Sequence, residues 1–156
     1  MIALIAACDR NGVIGYKGRI PWNIKGEQKR FKELTTGNIV VMGRLSFEEI
    51  GHPLPGRTTL VLSNTFTYSD YNLLTVTSLS EAIAYGEDRD IYISGGARLY
   101  QEGLPIADKI YLTIIESEFT GDTFFPEINL DEWIKSYELR VEGEIPYTYI
   151  TLERIQ

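Results

Sequence analysis

One acid stands where a helix asks for an apolar side chain. In "IPWNIKGEQKRFKEL" the second half reads as a helix with Phe31 and Leu34 on its apolar face. Residues three and four apart share a helix face, and stepping back four from Phe31 lands on Glu27. One reading is an acid in the first helical turn, favoured by the positive end of the helix dipole. The other is a buried carboxylate that waits for a cationic or donor-rich ligand. A carboxyl group in an apolar cleft resists ionisation and can hold a proton near neutrality.

A second group of candidates lies at strand-to-helix junctions. "NIVVMGRLSFEEIG" runs from a buried strand through Gly43 into a helix, with Arg44 and Ser46 at its start. "DIYISGGARLYQEG" does the same through Gly95 and Gly96, and "TTLVLSN" ends a third strand with Ser63 and Asn64. Ligands of open α/β sheets bind beyond the carboxyl ends of the strands. Free N–H groups at helix starts suit phosphate, and glycine lets a backbone come close. None of these stretches is a GxGxxG or Walker loop. Each glycine alone is as well explained as a turn, and together they point to a nucleotide cofactor.

These residues need an α/β scaffold. Eight short apolar runs read as strands, near 2–8, 38–42, 58–62, 73–76, 90–94, 109–116, 133–141 and 147–154. Helical patterns separate several of them. In "TSLSEAIAYG", Ser78 and Glu81 form a capping box and Gly86 is a natural stop. Helices alternate with strands through the first two-thirds, the pattern of a mostly parallel sheet. "KIYLTIIESEF" and "YTYITLERI" have no helix between them, so the sheet should finish antiparallel.

Bulk properties narrow the function. The chain has 156 residues and a net charge of −7, which argues against a general nucleic-acid-binding surface. No apolar run approaches membrane-spanning length. "MIALIAACDR" lacks a basic start and reads as a buried strand, with no secretion signal. Cys8, the only cysteine, is expected in the core and allows no intrachain disulfide, which suits the cytoplasm. One domain over 1–156 is expected. His52, the only histidine, sits in a proline-containing loop and is expected to be exposed. That leaves no catalytic histidine and no metal cluster.

The chain closely resembles bacterial dihydrofolate reductases over almost its whole length. The resemblance rests on "IAACDRNGVIG", "IPWN" with an acid five positions after the Trp, "VMGR", "GHPLPGR", "LVLS", "ISGGARLY", "IYLTII" and "GDTFFPEI", in this order. It implies a central eight-stranded, mostly parallel sheet with flanking helices and an antiparallel C-terminal strand. It implies NADPH-dependent reduction of 7,8-dihydrofolate by a monomer that also takes antifolates.

Residue by residue, the resemblance makes Glu27 the anchor of the pterin 2-amino group and N3–H. Thr113 would bond this carboxylate and Trp22 would hold a bridging water. Ile5, Ala6, Ala7, Phe31, Ile50, Leu54, Ser94 and Tyr100 would line the substrate pocket. Arg57 would take the glutamate α-carboxylate; without the family it reads as a surface turn residue. Ala7, Ile14, Gly43 and Leu62 would meet the cofactor, and Arg44, Ser63 and Asn64 its 2′-phosphate. Ser46, Gly96, Ala97 and Arg98 would meet the pyrophosphate, beside a cis Gly95–Gly96 peptide. "GVIGYKGRIPW" would be a lid with glycines at 12, 15 and 18, supported by Asp122.

Several positions depart from the usual pattern. Glu27 replaces a common Asp, Leu45 a polar residue and Ser94 an aliphatic one. Gln28 and Arg30 are polar where apolar or aromatic residues often sit, and the last hairpin is short. "KGEQ" resembles the mobile-element-borne, trimethoprim-insensitive reductases, which implies reduced trimethoprim sensitivity. An ordinary trimethoprim-sensitive reductase is the alternative. A riboflavin-pathway pyrimidine reductase and a non-catalytic pterin- or nucleotide-binding module are the competing functions.

Overall fold

A computed structural model describes residues 1–24 and 26–156. All eight expected strands form: β1 (Ile2–Asp9), β3 (Ile39–Gly43), β4 (Thr58–Leu62), β6 (Leu73–Val76), β7 (Ile91–Ile93), β8 (Lys109–Ile115), β10 (Trp133–Val141) and β11 (Tyr147–Arg154). Three short ones join them: β2 (Val13–Gly15), β5 (Ser69–Asp70) and β9 (Thr123–Phe124). β5 adds a ninth strand to the main sheet, where eight are expected, in the order β10-β11-β8-β1-β7-β3-β4-β6-β5, while β2 and β9 pair in a separate two-stranded sheet. β5 is a two-residue, exposed edge strand, too short to leave a periodic signal.

The strands from β8 to β6 run parallel, as the alternation of helices and strands requires. β11 is antiparallel to β8 and to β10, so the antiparallel finish involves two strands. α1 (Lys29–Thr35), α2 (Arg44–Ile50), α3 (Leu79–Gly86) and α4 (Ala97–Gly103) flank the sheet.

Both sheet faces are covered, so the central strands read as apolar runs. Leu4, Ala6 and Cys8 of β1 point into one core with Ile39, Val41, Leu99 and Tyr100. Ala3 and Ile5 point the other way, toward Phe31 and Leu34 of α1. Leu4, Ile39, Leu60, Ile93 and Ile110 are wholly buried, each contributing roughly 1.5–3 kcal/mol relative to exposure. Cys8 is buried too, and burial with the adjacent Asp9 pushes its thiol pKa up to about 12.

The expected capping box forms at the start of α3. The Ser78 Oγ accepts from the Glu81 N–H at 3.1 Å. The Glu81 carboxylate reaches back to Thr77, accepting from its N–H at 2.9 Å and its hydroxyl at 2.7 Å. Gly86, however, is inside the helix; the left-handed φ of 51° falls on Glu87. Gly86 is required for packing, because a Cβ there would stand 2.6 Å from Ile91 Cδ1.

Candidate active-site cleft

A cavity of about 370 Å³ opens between α1, α2 and the carboxyl-terminal parts of β1, β7 and β8. A second of about 620 Å³ adjoins it, sharing Ile20, Trp22, Glu27, Gln28, Phe31, Glu49 and Leu54. The two form an inner and an outer lobe of one cleft.

The sheet register builds the inner floor. Ile5 is paired with Tyr111, and Ala7 with Thr113. Alternation along each strand turns these four toward α1. Glu27 enters from a turn rather than from a helix. α1 begins only at Lys29, and Gly26 has φ 88°, which a continuing helix does not allow. The four-residue step back from Phe31 therefore lands on a buried, cavity-lining residue, but in a turn and not in the helix that the period implies.

Glu27 is 7% exposed. Burial raises its pKa above the usual carboxylate range, opposed by the Trp22 indole N–H and the Gln28 side chain. Thr113 is not among the groups that favour its ionised form. The Trp22 Nε1 is buried without a hydrogen bond of normal geometry. A donor so placed, beside a buried carboxylate, suits a small polar molecule between the two.

Arg57 is no surface residue: it is 6% exposed. Its Nε donates to the Pro55 carbonyl at 3.0 Å and its Nη1 to Thr35 Oγ1 at 3.3 Å. The guanidinium sits 5.8 Å from the centre of the Phe31 ring and lines the outer lobe. Burial lowers its pKa.

Ala6, Ile14, Ser46, Ile50, Leu54, Ser94, Gly95, Gly96 and Tyr100 also line the inner lobe. Tyr100 donates its hydroxyl to the Ile5 carbonyl at 2.8 Å, and burial raises its pKa. The Ser94 hydroxyl points at the Val41 carbonyl, 3.4 Å away. Its difference from an aliphatic residue is thus mainly one of volume.

Gly43, Arg44, Leu62, Ser63, Asn64, Ala97 and Arg98 lie outside both lobes, along the ends of β3 and β4 and the start of α4. Here the backbone dominates. The Gly95–Gly96 peptide is cis, as the resemblance implies. The Gly43 N–H donates to the Gly95 carbonyl at 2.8 Å. A Cβ on Gly43 would lie 3.8 Å from both Gly95 O and Gly96 N, and one on Gly96 would lie 3.7 Å from Ser46 Oγ. Neither α2 nor α4 has a side-chain cap at its N-terminus. Arg44 pairs with Glu48 at 3.3 Å and lies over Phe66 at 4.5 Å. The buried Ser63 Oγ accepts from the N–H groups of Thr65 and Phe66 at 3.2 and 3.0 Å. Donors, a cation and close-approach glycines fit a phosphate-bearing dinucleotide.

The stretch expected to form a lid contributes Ile14, Ile20 and Trp22 to the lining of the inner lobe. Asp122 accepts from the Lys17 N–H at 3.0 Å, which lowers its pKa, and donates its own N–H to the Gly15 carbonyl at 3.0 Å. The Ile20 N–H donates to Glu49 Oε1 at 3.1 Å. Gly12 and Gly18 have positive φ, whereas a Cβ on Gly15 would lie 3.3 Å from Thr123 Cβ, a tight contact.

Tyr111, Ile20 and Glu49 line the inner lobe and were missed. Tyr111 was findable, because it sits two residues before Thr113 on one strand. Glu49 carries no such signal. His52 is exposed, as expected, yet it reaches the cavity rim.

This architecture defines a class: an α/β enzyme with its ligand cleft across the carboxyl ends of parallel strands, one wall acidic and the other suited to phosphate. A family model described as dihydrofolate reductase matches residues 1–154. Dihydrofolate reductase type A13 from Escherichia coli is 40% identical over 98% of this chain and 94% of that protein. The Haemophilus influenzae dihydrofolate reductase is 42% identical over 84% and 82%. A solved dihydrofolate reductase from Enterococcus faecalis, complexed with NADP(H) and RAB-propyl, superimposes with a TM-score of 0.91 at 39% identity, covering 100% of this chain and 97% of that one. The chain belongs to the dihydrofolate reductase family.

Proposed function

We propose that the chain reduces 7,8-dihydrofolate with NADPH, using the two lobes as anchors for the two ends of the substrate. The observation that carries this is the buried Glu27 in the inner lobe with the buried Arg57 in the outer one. A carboxylate offers two acceptors to the paired donors of a pterin edge, and charge assistance strengthens both bonds. A planar guanidinium fork matches the α-carboxylate of a glutamate tail.

In this reading Ile5, Ala6, Ala7 and Phe31 hold the ring and benzoyl group. Trp22 orients the Glu27 carboxylate through water, and Thr113 lines the same lobe. Arg44, Ser63 and Asn64 hold the 2′-phosphate, while Ser46 and the amides of Gly96, Ala97 and Arg98 hold the pyrophosphate. NADPH, when bound, supplies the hydride that C6 of the pterin receives. N5 gains its proton from water, promoted across the ring by Glu27. The chain's own contribution is orientation and a dry pocket. It acts as a cytoplasmic monomer of one domain, without nucleic-acid or membrane partners. Loss of absorbance at 340 nm with dihydrofolate and NADPH tests the activity directly; no loss would leave a binding module.

We further infer reduced trimethoprim sensitivity and a place among the mobile-element-borne reductases. "KGEQ" supports this; its Lys25 lies outside the described residues. Glu27 is one methylene longer than Asp, which shifts the carboxylate under a small, protonated diaminopyrimidine. Dihydrofolate keeps its second anchor at Arg57. A tenfold to hundredfold loss of inhibitor affinity needs only about 1.4–2.8 kcal/mol. Trimethoprim inhibition constants for wild type and Glu27→Asp decide it: low-nanomolar inhibition of the wild type would leave an ordinary, sensitive reductase.

A further inference from the structure

Arg30 is an unusual residue for the wall of an apolar cavity. It is the second residue of α1, three after Glu27, and its side chain crosses from helix to sheet. Its Nη1 donates to the Leu112 carbonyl of β8 at 3.3 Å and to the Ile150 carbonyl of β11 at 3.0 Å. Its Nη2 donates to Thr151 Oγ1. The guanidinium carbon lies 5.2 Å from the Tyr111 ring centre and 5.3 Å from those of Tyr137 and Tyr149. Three rings and three acceptors hold one planar cation.

The same cage reaches Glu27. The Tyr149 hydroxyl lies 3.4 Å from the carbonyl oxygens of both Gly26 and Glu27. The turn that carries Glu27 is therefore tied to β11 at its own main chain and again, three residues on, through Arg30. β8, the other strand Arg30 grips, carries Thr113. α1 has seven residues and no side-chain cap. A helix so short has little stability of its own, so tertiary contacts must set its position.

We propose that Arg30 is a positioning residue: it locks the Glu27-bearing turn onto β8 and β11 and sets the depth and angle at which the carboxylate meets the pterin edge. The inference rests on the reading of Glu27 as the substrate anchor. The contacts of Arg30 run to two main-chain carbonyls, a threonine hydroxyl and three rings, not to the Glu27 carboxylate. Its effect is geometric, and small misplacements of a reacting group are costly.

The test compares Arg30→Met, which keeps length but loses the donors, with Arg30→Lys, which restores one cation. Arg30→Met should lower kcat/KM for dihydrofolate by about 10–100-fold, the cost of a displacement near 1 Å. The NADPH KM should stay within about twofold, and Arg30→Lys should recover part of the loss. In a Glu27→Gln background, Arg30→Met should cost almost nothing more, because residues acting through one group are not additive.

Unchanged kcat/KM in folded Arg30→Met, equal losses for both ligands, or full additivity with Glu27→Gln would each overturn the proposal. Glu27→Gln with undiminished turnover would instead remove the anchor on which it stands. If Arg30→Met does not fold, Tyr149→Phe provides the second arm. It deletes the hydroxyl facing the Gly26 and Glu27 carbonyls, and a dihydrofolate-specific loss supports the cage, whereas unchanged kinetics refutes it.

Discussion

On the α1 side of the cleft the groups given a role in the proposed function, or lining the cavity beside them, are side chains: Glu27, Arg30, Arg57, Thr113 and Tyr111, all half-buried or buried and drawn from distant parts of the chain. On the α2 and α4 side they are largely backbone: the glycines at 43, 95 and 96 and the uncapped starts of two helices. In the proposed function one side recognises a flat ring with a defined donor pattern. The other holds phosphate, whose charge and many oxygens tolerate any array of N–H groups. The difference predicts where single substitutions hurt. A side-chain anchor can be deleted by one mutation, whereas a backbone cradle is disturbed only by changing its shape or its few charged helpers.

The largest expected effect is therefore Glu27→Gln. The amide keeps one acceptor but sets a donor against a donor. We expect a loss of about 2–4 kcal/mol in transition-state stabilisation, read as kcat/KM near neutral pH. Unchanged kcat/KM would erase the distinction between the two sides. The same variant has a stability consequence of opposite sign. The Glu27 pKa is raised in the folded state, so the folded protein binds more protons than the unfolded chain between the two values. Its contribution is present below the unfolded pKa and is lost as pH rises through the folded one. Ligand-free Glu27→Gln should accordingly lose less stability than wild type as pH rises from the ordinary carboxylate range. Parallel stability profiles in denaturant melts at several pH values would refute this.

Next in size is the seat of α4. A Cβ on Gly103 would lie 2.6 Å from Ile93 Cδ1 and 2.9 Å from Leu4 Cδ2, and both side chains are wholly buried. Gly103→Ala should destabilise by about 1–3 kcal/mol through overpacking. If the cradle is shape-dependent, NADPH affinity should fall more than dihydrofolate affinity. Equal falls would mean that α4 supports both sides alike.

The smallest effect is expected at Arg44, one charged helper among many backbone donors. Arg44→Ala should weaken NADPH about tenfold, or roughly 1.4 kcal/mol, and NADH far less. Comparable losses for both coenzymes would show that Arg44 does not read the 2′-phosphate.

The same contrast governed what could be read in advance. The junction motifs are local, so "VMGR" and "ISGGARLY" announced glycines and helix starts that the fold then placed side by side. The eight expected strands were visible as apolar runs, the central ones because both faces of the sheet are covered there, although β10 is exposed along most of its length. β2, β5 and β9 were not visible, because each has two or three residues and lacks the wholly buried apolar run that marks the equally short β7. Glu27 was singled out by a helical period that does not exist at that position, since Gly26 turns the chain before α1 begins.

What the sequence by itself determined is the set of elements and the chemical types available, since burial on two faces and turn chemistry are local properties. It could not assign Arg30 a purpose. A lone arginine near the start of a helix reads as part of a solvated face, and Tyr111, Tyr137 and Tyr149 lie on three different strands, β8, β10 and β11. Only the antiparallel register that sets Ile150 beside Leu112, and the packing of α1 over both strands, turns them into a cage around a cation. That arrangement joins residues more than 80 positions apart, and no local pattern specifies it. It exists because buried carbonyls, rings and a charge had to satisfy one another in the tertiary structure.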